Sequence, residues 1–389
     1  MMAILHLALK SAWSRRATLG LMFASIALST TLLLAVERIR IDTRQSFVQS
    51  VSGVDLVVGP RGGAMQLMLY AVFHAGSASH NMRWASYQEI ARHPATAWTV
   101  PLALGDSHRG HPVLGTTPAY FEHFRHGDRQ ALRFAEGRAF AGLFEAVLGS
   151  EVAARLGYRV GEKITLSHGA IDAGEGPAHD DKPFAVVGIL APTGTPVDRT
   201  VHVSAESITA LHLDWVGGVP VPGLSIPADA VTKFDLTPRA ITATLVGLRQ
   251  RTDVLRMQRF VNDHREEALM AVLPGVVLDE LWQTLGLLER TLLGISSLVV
   301  VIGLTGLAAT LLAGLGERRR ELAILRALGA GPLTLCAMLT LEGLLIASAG
   351  VLAGLLLVGG ATIFVGPWLL ANFGIVLSSP LPGRDELLL

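Results

Sequence analysis

The sequence predicts an α+β membrane protein, with one transmembrane helix near the amino end, two near the carboxyl end and a large folded domain between them. Three observations predict it. Ala17–Val36, Thr291–Leu315 and Gly343–Leu370 carry no Asp, Glu, Lys or Arg. Each has the roughly 20 residues that a helix needs to cross a bilayer's hydrocarbon core. Residues 37–285 between the first two runs are mixed in pattern and long enough to bury a core of their own. Finally, Lys10, Arg15 and Arg16 precede the first run, and Arg318, Arg319, Arg320 and Arg326 lie between the second and third. Short basic segments stay cytoplasmic while long domains cross regardless of charge, so residues 37–285 belong outside.

Composition agrees without deciding. Half of the residues are apolar and 16% are charged; it is their segregation into blocks that points to a membrane. A net charge of zero leaves no electrostatic footprint for nucleic acid. The single cysteine, Cys336, adjoins the third run, so the outer domain has no disulfide of its own and must hold together by packing.

In chain order, residues 1–16 predict a short interfacial helix. Leu5, Leu9, Ala12 and Trp13 recur at helical spacing, with Lys10, Arg15 and Arg16 on or beside the other face. Residues 17–36 predict the first span, an uncleaved anchor because its apolar core exceeds that of a signal peptide. The outer domain predicts strands at Val54–Val58, Ala97–Leu104, Ala146–Leu148, Lys163–Leu166, Phe184–Leu190, Val201–Val203 and Ile241–Leu248, all rich in β-branched residues and bounded by Gly, Pro, Asp or Ser. Val254, Met257, Val261 and Ala268 predict a helix over Thr252–Ala268. Gly169–Lys182 and Gly217–Pro227 read as loops. Residues 291–315 and 333–370 predict the second and third spans. Beyond them, 371–389 is polar and turn-forming, then ends on what looks like the first turn of a helix, so a fourth span is expected after Leu389.

Several outer-domain segments carry chemistry. Twelve of the 13 histidines lie there. His108 and His111 are three apart, as are His123 and His126, while His168 and His179 bracket a loop followed by Asp180 and Asp181. Imidazole with carboxylate is a workable zinc set, and His168, His179 and Asp181 are the candidates; the plainer reading is ordinary surface histidines. Pro192–Arg199 reads as a tight loop in which Asp198 and Arg199 pair or present charge at the tip, either a rigid hairpin-like connection or a contact surface for cargo or a periplasmic partner. Met65–Phe73 is either core and dimer packing or an adaptable surface for greasy cargo.

Other chemistries are excluded. The sequence lacks a Gly-x-x-x-x-Gly-Lys-Ser/Thr phosphate loop, so it is not itself an ATPase. It also lacks Gly-x-Ser-x-Gly and His-Glu-x-x-His. Apart from Glu342 the spans hold almost no ionisable residue, unlike an ion-coupled carrier. Glu342 fits either a helix contact or a role in transmission.

Residues 316–331 read Gly316-Glu317-Arg318-Arg319-Arg320-Glu321-Leu322-Ala323-Ile324-Leu325-Arg326-Ala327-Leu328-Gly329-Ala330-Gly331. Leu322, Ala323 and Leu325 share an apolar face opposite the charges, and Gly329 supplies a stop. Such a helix suits docking on a soluble partner, or simply a basic loop that holds topology. The segment closely resembles the cytoplasmic coupling segment of the FtsX/MacB/LolC-type ABC transporter permease family. Glu342 in Leu341-Glu342-Gly343 resembles that family's glutamate, and Asp55–Gly59, Gly137-Arg138, Val147–Ser150, Val160–Ile164 and Val186–Leu190 resemble its outer-domain segments.

The resemblance implies a bacterial inner-membrane permease with its large domain in the periplasm. That domain would comprise porter-like parts at about 45–111 and 236–280, with an inserted β-rich subdomain at about 112–235. It implies a separate ABC ATPase, which binds the ATP, docked on Glu317, Arg318, Arg319, Arg320, Glu321, Leu322, Leu325, Arg326 and Gly329, with transmission through Glu342. The chain itself needs no cofactor. A second permease copy and a periplasmic adaptor or substrate-binding protein are the other implied partners. The expected work is export, extraction or release of a hydrophobic, lipoprotein or peptide-like envelope substrate. Activation of a periplasmic enzyme, and a membrane-anchored metal-binding sensor, are the alternatives.

Overall fold

The computed structural model describes residues 16–48, 51–76, 80–127, 129–169, 176–216, 219–221, 223, 225–317, 319–327, 329 and 331–373. The expected interfacial helix at 1–15 and the segment 374–389 leading to the expected fourth span lie outside the described residues. The chain divides into two compact units, 1–43 with 285–389, and 44–284.

The first unit is helical. It holds most of α1 (Arg16–Val48) and of α8 (Pro274–Glu317), whose residues 44–48 and 274–284 fall in the second unit, together with α9 (Arg319–Ala327) and α10 (Pro332–Phe373). Within them Leu19–Ile39 and Gly343–Gly366 are long and apolar enough to cross a membrane, and Arg290–Gly306 of α8 is a shorter apolar stretch. Exposed Leu298, Ile302, Leu345, Leu352, Leu356 and Phe364 suit a lipid solvent, which does not penalise apolar surface. Small residues bring these helices together. A Cβ on Gly350 would lie 2.8 Å from Ile26 Cγ2, one on Gly354 2.8 Å from Thr30 Cβ, and one on Gly303 2.8 Å from Ser29 Oγ. The Gly350-x-x-x-Gly354 spacing thus sets a groove for α1, the usual way for helices to associate where burial gives no drive.

The second unit is built on an eleven-stranded sheet: β1 (Leu56–Pro60), β2 (Thr96–His108), β3 (His111–Thr116), β4 (Phe134–Gly137), β5 (Glu145–Leu148), β6 (Lys163–Ile164), β7 (Ser167–His168), β8 (Phe184–Leu190), β9 (Val201–Ser204), β10 (Ala243–Leu248) and β11 (Leu269–Val272). The strand order is β11-β1-β10-β2-β3-β9-β5-β8-β4, with β7 on β2 and β6 on β8. The β9–β3 and β8–β5 pairs are parallel and the rest antiparallel. Helices α2 (Ala64–Ala71), α3 (Trp84–Arg92), α4 (Ala119–His123), α5 (Ser150–Leu156), α6 (Ala205–Leu211) and α7 (Val254–Asn262) lie between the strands.

Strands with apolar residues on both faces need cover on both, and the alternation of side chains supplies it. Leu56 and Val58 of β1 pack with Met82, Ile90 and Val261, while Val57 packs with Leu67, Met68 and Tyr70. Strand β10 repeats this, with Val246 and Leu248 in the first core and Ala243 and Leu245 in the second. A third core holds Val113, Ala146, Leu148, Phe184, Val201 and Val203. The long strand β2 joins the regions: residues 96–102 pair with β10 and 103–108 with β3.

Several boundaries differ from the sequence expectation, each for a polar reason. The first strand begins at Leu56, since the Asp55 carboxylate accepts a hydrogen bond from the Leu248 amide at 2.8 Å. The strand expected at Ile241–Leu248 breaks at Thr242, whose hydroxyl accepts from the Leu104 amide, and Ala240–Ile241 pairs separately with Met82–Arg83. The helix expected to reach Ala268 stops at Asn262, whose side-chain oxygen accepts from the Ala271 amide as the chain turns back into β11. Met65–Phe73 packs mainly into the core: Leu67, Met68 and Tyr70 of α2 are buried, while Gln66 and Leu69 are exposed. In Pro192–Arg199 the charges do not sit at a tip. Asp198 is buried and accepts from the Thr193 amide and hydroxyl and the Gly194 amide, and Arg199 reaches Glu151 instead.

Candidate functional site

Two constellations deserve a functional reading, one in each unit. In the helical unit, α9 is a separate nine-residue helix between α8 and α10. Ile324 and Arg326 are exposed and Leu325 is half-buried. The Gly329 amide donates to the Arg326 carbonyl at 3.0 Å, and its φ of +96° is a left-handed conformation that ends the helix at little cost for glycine. Arg318 lies outside the described residues. Glu317 ends α8, Arg319, Arg320, Glu321 and Leu322 fall in α9, and Glu342 falls in α10; the side chains of these six are likewise outside the described ones.

In the sheet unit, four side chains converge. Asp106 stands on β2, just past a bulge at Gly105 that shifts the register against β3. His168 on β7 is its antiparallel register partner. The chain then returns beside β7, with the Ser167–Ala178 bridge and the His179 amide donating to the Leu166 carbonyl at 2.8 Å, which sets His179 next to His168. His212 follows α6, whose start Ser204 caps by accepting from the Ser207 amide. One ligand atom from each of Asp106, His168, His179 and His212 can be chosen so that all four lie within 4.8 Å of one another.

The contacts are specific. His168 Nδ1 lies 3.1 Å from Asp106 Oδ1 and 3.0 Å from His212 Nε2, and His212 Nε2 lies 3.5 Å from Asp106 Oδ1. His212 Nδ1 is 2.8 Å from the Ile208 carbonyl; a carbonyl only accepts, so Nδ1 carries the proton. Burial opposes ionisation of Asp106, but the hydrogen bonds from His168 and His212 outweigh it and hold its pKa at about 2. Burial also works against the charged form of His212, and Asp106 more than offsets it, so the His212 pKa is raised. For His179, burial and then the neighbouring His212 lower the pKa to about 4, leaving a neutral imidazole at ordinary pH. Trp215 lies over the His179 ring with centroids 4.0 Å apart.

The sequence brought His168 and His179 to notice, but not their companions. Asp181 is not part of the cluster: it is 43% exposed and pairs with the Lys182 ammonium at 2.7 Å. Asp106 takes that place from 62 residues upstream of His168, and His212 joins from 44 downstream. No local spacing signals such partners. The other pairs are dispersed. His108 and His111 face each other across the β2–β3 turn, but His108 binds the Thr165 carbonyl and Tyr158 hydroxyl while His111 binds the Arg199 carbonyl. His123 stacks on Trp98, and His126 sits in a short pair with Gln130.

Comparison with known proteins places both constellations. The family model for the MacB-like periplasmic core domain matches residues 17–230, more than half of the chain, and that for the FtsX-like permease C-terminal matches 293–382. The chain belongs to the FtsX/MacB-type ABC permease family. Permeases of this family are membrane subunits of ABC transporters that partner with a separate ATPase subunit. In this permease α9 and Glu342 lie within the FtsX-like match, and Asp106, His168, His179 and His212 within the core-domain match. Among solved structures, the periplasmic region of MacB from Actinobacillus actinomycetemcomitans is 11% identical, over 61% of this chain and 95% of that one, with a TM-score of 0.36. The extracellular domain of the noncanonic ABC-type transporter YknZ from Gram-positive bacteria is 13% identical, over 56% and 98%, with a TM-score of 0.31. The comparison with curated proteins gives no match.

Proposed function

We propose that the chain is a multi-pass inner-membrane permease that relays the stroke of its ATPase to the periplasm. The observation that carries this reading is the course of α8. Its first turn is anchored in the outer unit, where Val277 and Leu278 are buried in the core. From there the helix runs unbroken for 44 residues to Glu317, one residue short of α9. At 1.5 Å per residue that is a rod of about 65 Å, some twice the thickness of a hydrocarbon core. A helix resists bending far better than a loop, so displacement of α9 by nucleotide-driven closure of the ATPase has a stiff element to follow.

In this reading two permease copies act together, and the periplasmic units move or release a hydrophobic, lipoprotein or peptide-like substrate with or without an adaptor. Exposed Ile324 and Arg326, with Leu325, form the docking surface. The test is co-purification of the full chain with a co-expressed ABC ATPase from the same genome, followed by ATPase assays in nanodiscs. Leu325→Asp with Arg326→Glu is expected to abolish association. Association equal to that of the unaltered chain would refute docking through α9.

A further inference from the structure

We propose that Asp106, His168, His179 and His212 form a binding site in the outer domain for one divalent transition-metal ion of the zinc class. This goes beyond the permease reading and does not depend on it.

The geometry suits the ion. Zinc–nitrogen and zinc–oxygen bonds near 2.0–2.1 Å at tetrahedral angles put neighbouring ligand atoms about 3.3–3.4 Å apart. The separations of 3.0, 3.1 and 3.5 Å among Asp106, His168 and His212 bracket that value. Three imidazoles and one carboxylate are a donor set for borderline metals, whereas Mg2+ and Ca2+ call for oxygen throughout.

The protonation pattern suits it as well. Because His212 Nδ1 donates to the Ile208 carbonyl, its Nε2 presents a lone pair to the cluster when neutral. That backbone hydrogen bond is the usual outer support of a metal-bound imidazole, fixing both tautomer and ring plane. Hydrogen bonding within the cluster accounts for Asp106, His168 and His212, but not for His179. His179 is fully buried, and among the described residues neither of its ring nitrogens has a hydrogen-bond partner. Buried polar atoms are seldom left so, and a metal ion beside its three neighbours would satisfy one of these nitrogens. Lys182, a buried cation nearby, is committed to Asp181 and Asp214.

An ion here would cross-link β2, β7, the returning segment at His179 and the end of α6. The test uses the full chain in detergent, free of any histidine tag and stripped with a chelator. Zn2+ is titrated in competition with a chromophoric chelator, and Co2+ replaces it for visible spectroscopy. One Zn2+ per chain is expected, together with the intense absorption of tetrahedral Co2+. His179→Ala and Asp106→Asn are expected to weaken binding at least about tenfold, while His80→Ala, at an exposed residue outside the cluster, leaves it unchanged. Substoichiometric uptake, or His179→Ala binding as tightly as the unaltered chain, would overturn the proposal. If the variants do not fold, the unaltered chain still decides, since weak octahedral-type Co2+ absorption would also overturn it.

Discussion

The Lys182 ammonium, fully buried, lies 3.0 Å from both carboxylate oxygens of Asp214. Asp214 also accepts from the Ile226 amide, and although its burial works against ionisation, these bonds keep its pKa below the usual value. The pair pins the segment after His179 to the segment after His212. Breaking a buried ion pair leaves the survivor charged and unsolvated. Lys182→Met is therefore expected to destabilise the outer domain by about 3 kcal/mol. Replacing both partners, as in Lys182→Met with Asp214→Leu, should cost clearly less. Thermal unfolding of the unaltered chain and these two variants checks this, and a double variant no better than the single one would contradict it.

The buried histidines away from the cluster set an acid limit. Burial lowers the pKa of His202 to about 3 and that of His74 to about 4, against an ordinary value near 6.5. His74 Nδ1 meets Thr200 Oγ1 at 2.8 Å, and His202 packs against Tyr120 and Phe121. Below pH 6.5 these two side chains bind protons in the unfolded chain that they refuse in the folded one, so their contribution to stability is complete above pH 6.5 and falls as pH drops toward 4 and 3. The expected result is a melting temperature that declines steadily from about pH 6.5 downward. His202→Leu should flatten that decline; an unchanged slope would show that His202 does not titrate with unfolding.

How much of this was legible in the sequence depended on whether a feature is local. The strand at Phe184–Leu190 is read to the residue because its alternating burial repeats every second position. The apolar runs of α1 and α10 are equally plain, since they require only composition. By contrast β3, β4 and β11 were not anticipated. β4 has little apolar character, as Phe134-Ala-Glu-Gly, and is stabilised by the β8 edge it pairs with. The metal-type cluster shows the same limit: His168 and His179 are near neighbours in sequence, whereas Asp106 and His212 arrive only through the pairing of β7 with β2 and the position of α6. Asp181, two residues after His179, faces Lys182 instead.

The groove at Gly350 and Gly354 gives a third prediction. Leucine at either position would drive side-chain atoms into Ile26 or Thr30 of α1, where the glycine spacing already leaves no room for a methyl group. Overpacking of this kind costs about 1–3 kcal/mol. Gly350→Leu and Gly354→Leu are expected to lower the melting temperature of the detergent-solubilised chain, while Gly360→Leu, where an added Cβ meets nothing within 4 Å, should not. Equal effects at all three positions would argue against close packing of α1 on α10.

The rod role of α8 can be separated from docking at α9 by a substitution in the helix between them. Gly286 lies in α8, and a Cβ built there meets nothing within 4 Å. Gly286→Ala should therefore stiffen the helix, by about 1 kcal/mol of propensity. Gly286→Pro removes a backbone hydrogen bond and forces a kink. The partner ATPase does not touch Gly286 in the proposed arrangement, so both variants are expected to keep it bound. Hydrogen exchange across the outer domain, compared with and without ATP, then reports the stroke. The unaltered chain and Gly286→Ala should show nucleotide-dependent exchange, and Gly286→Pro should lose it. If the proline variant responds as fully as the alanine one, force does not travel along α8, because a broken helix cannot carry a displacement that an intact one is needed to transmit.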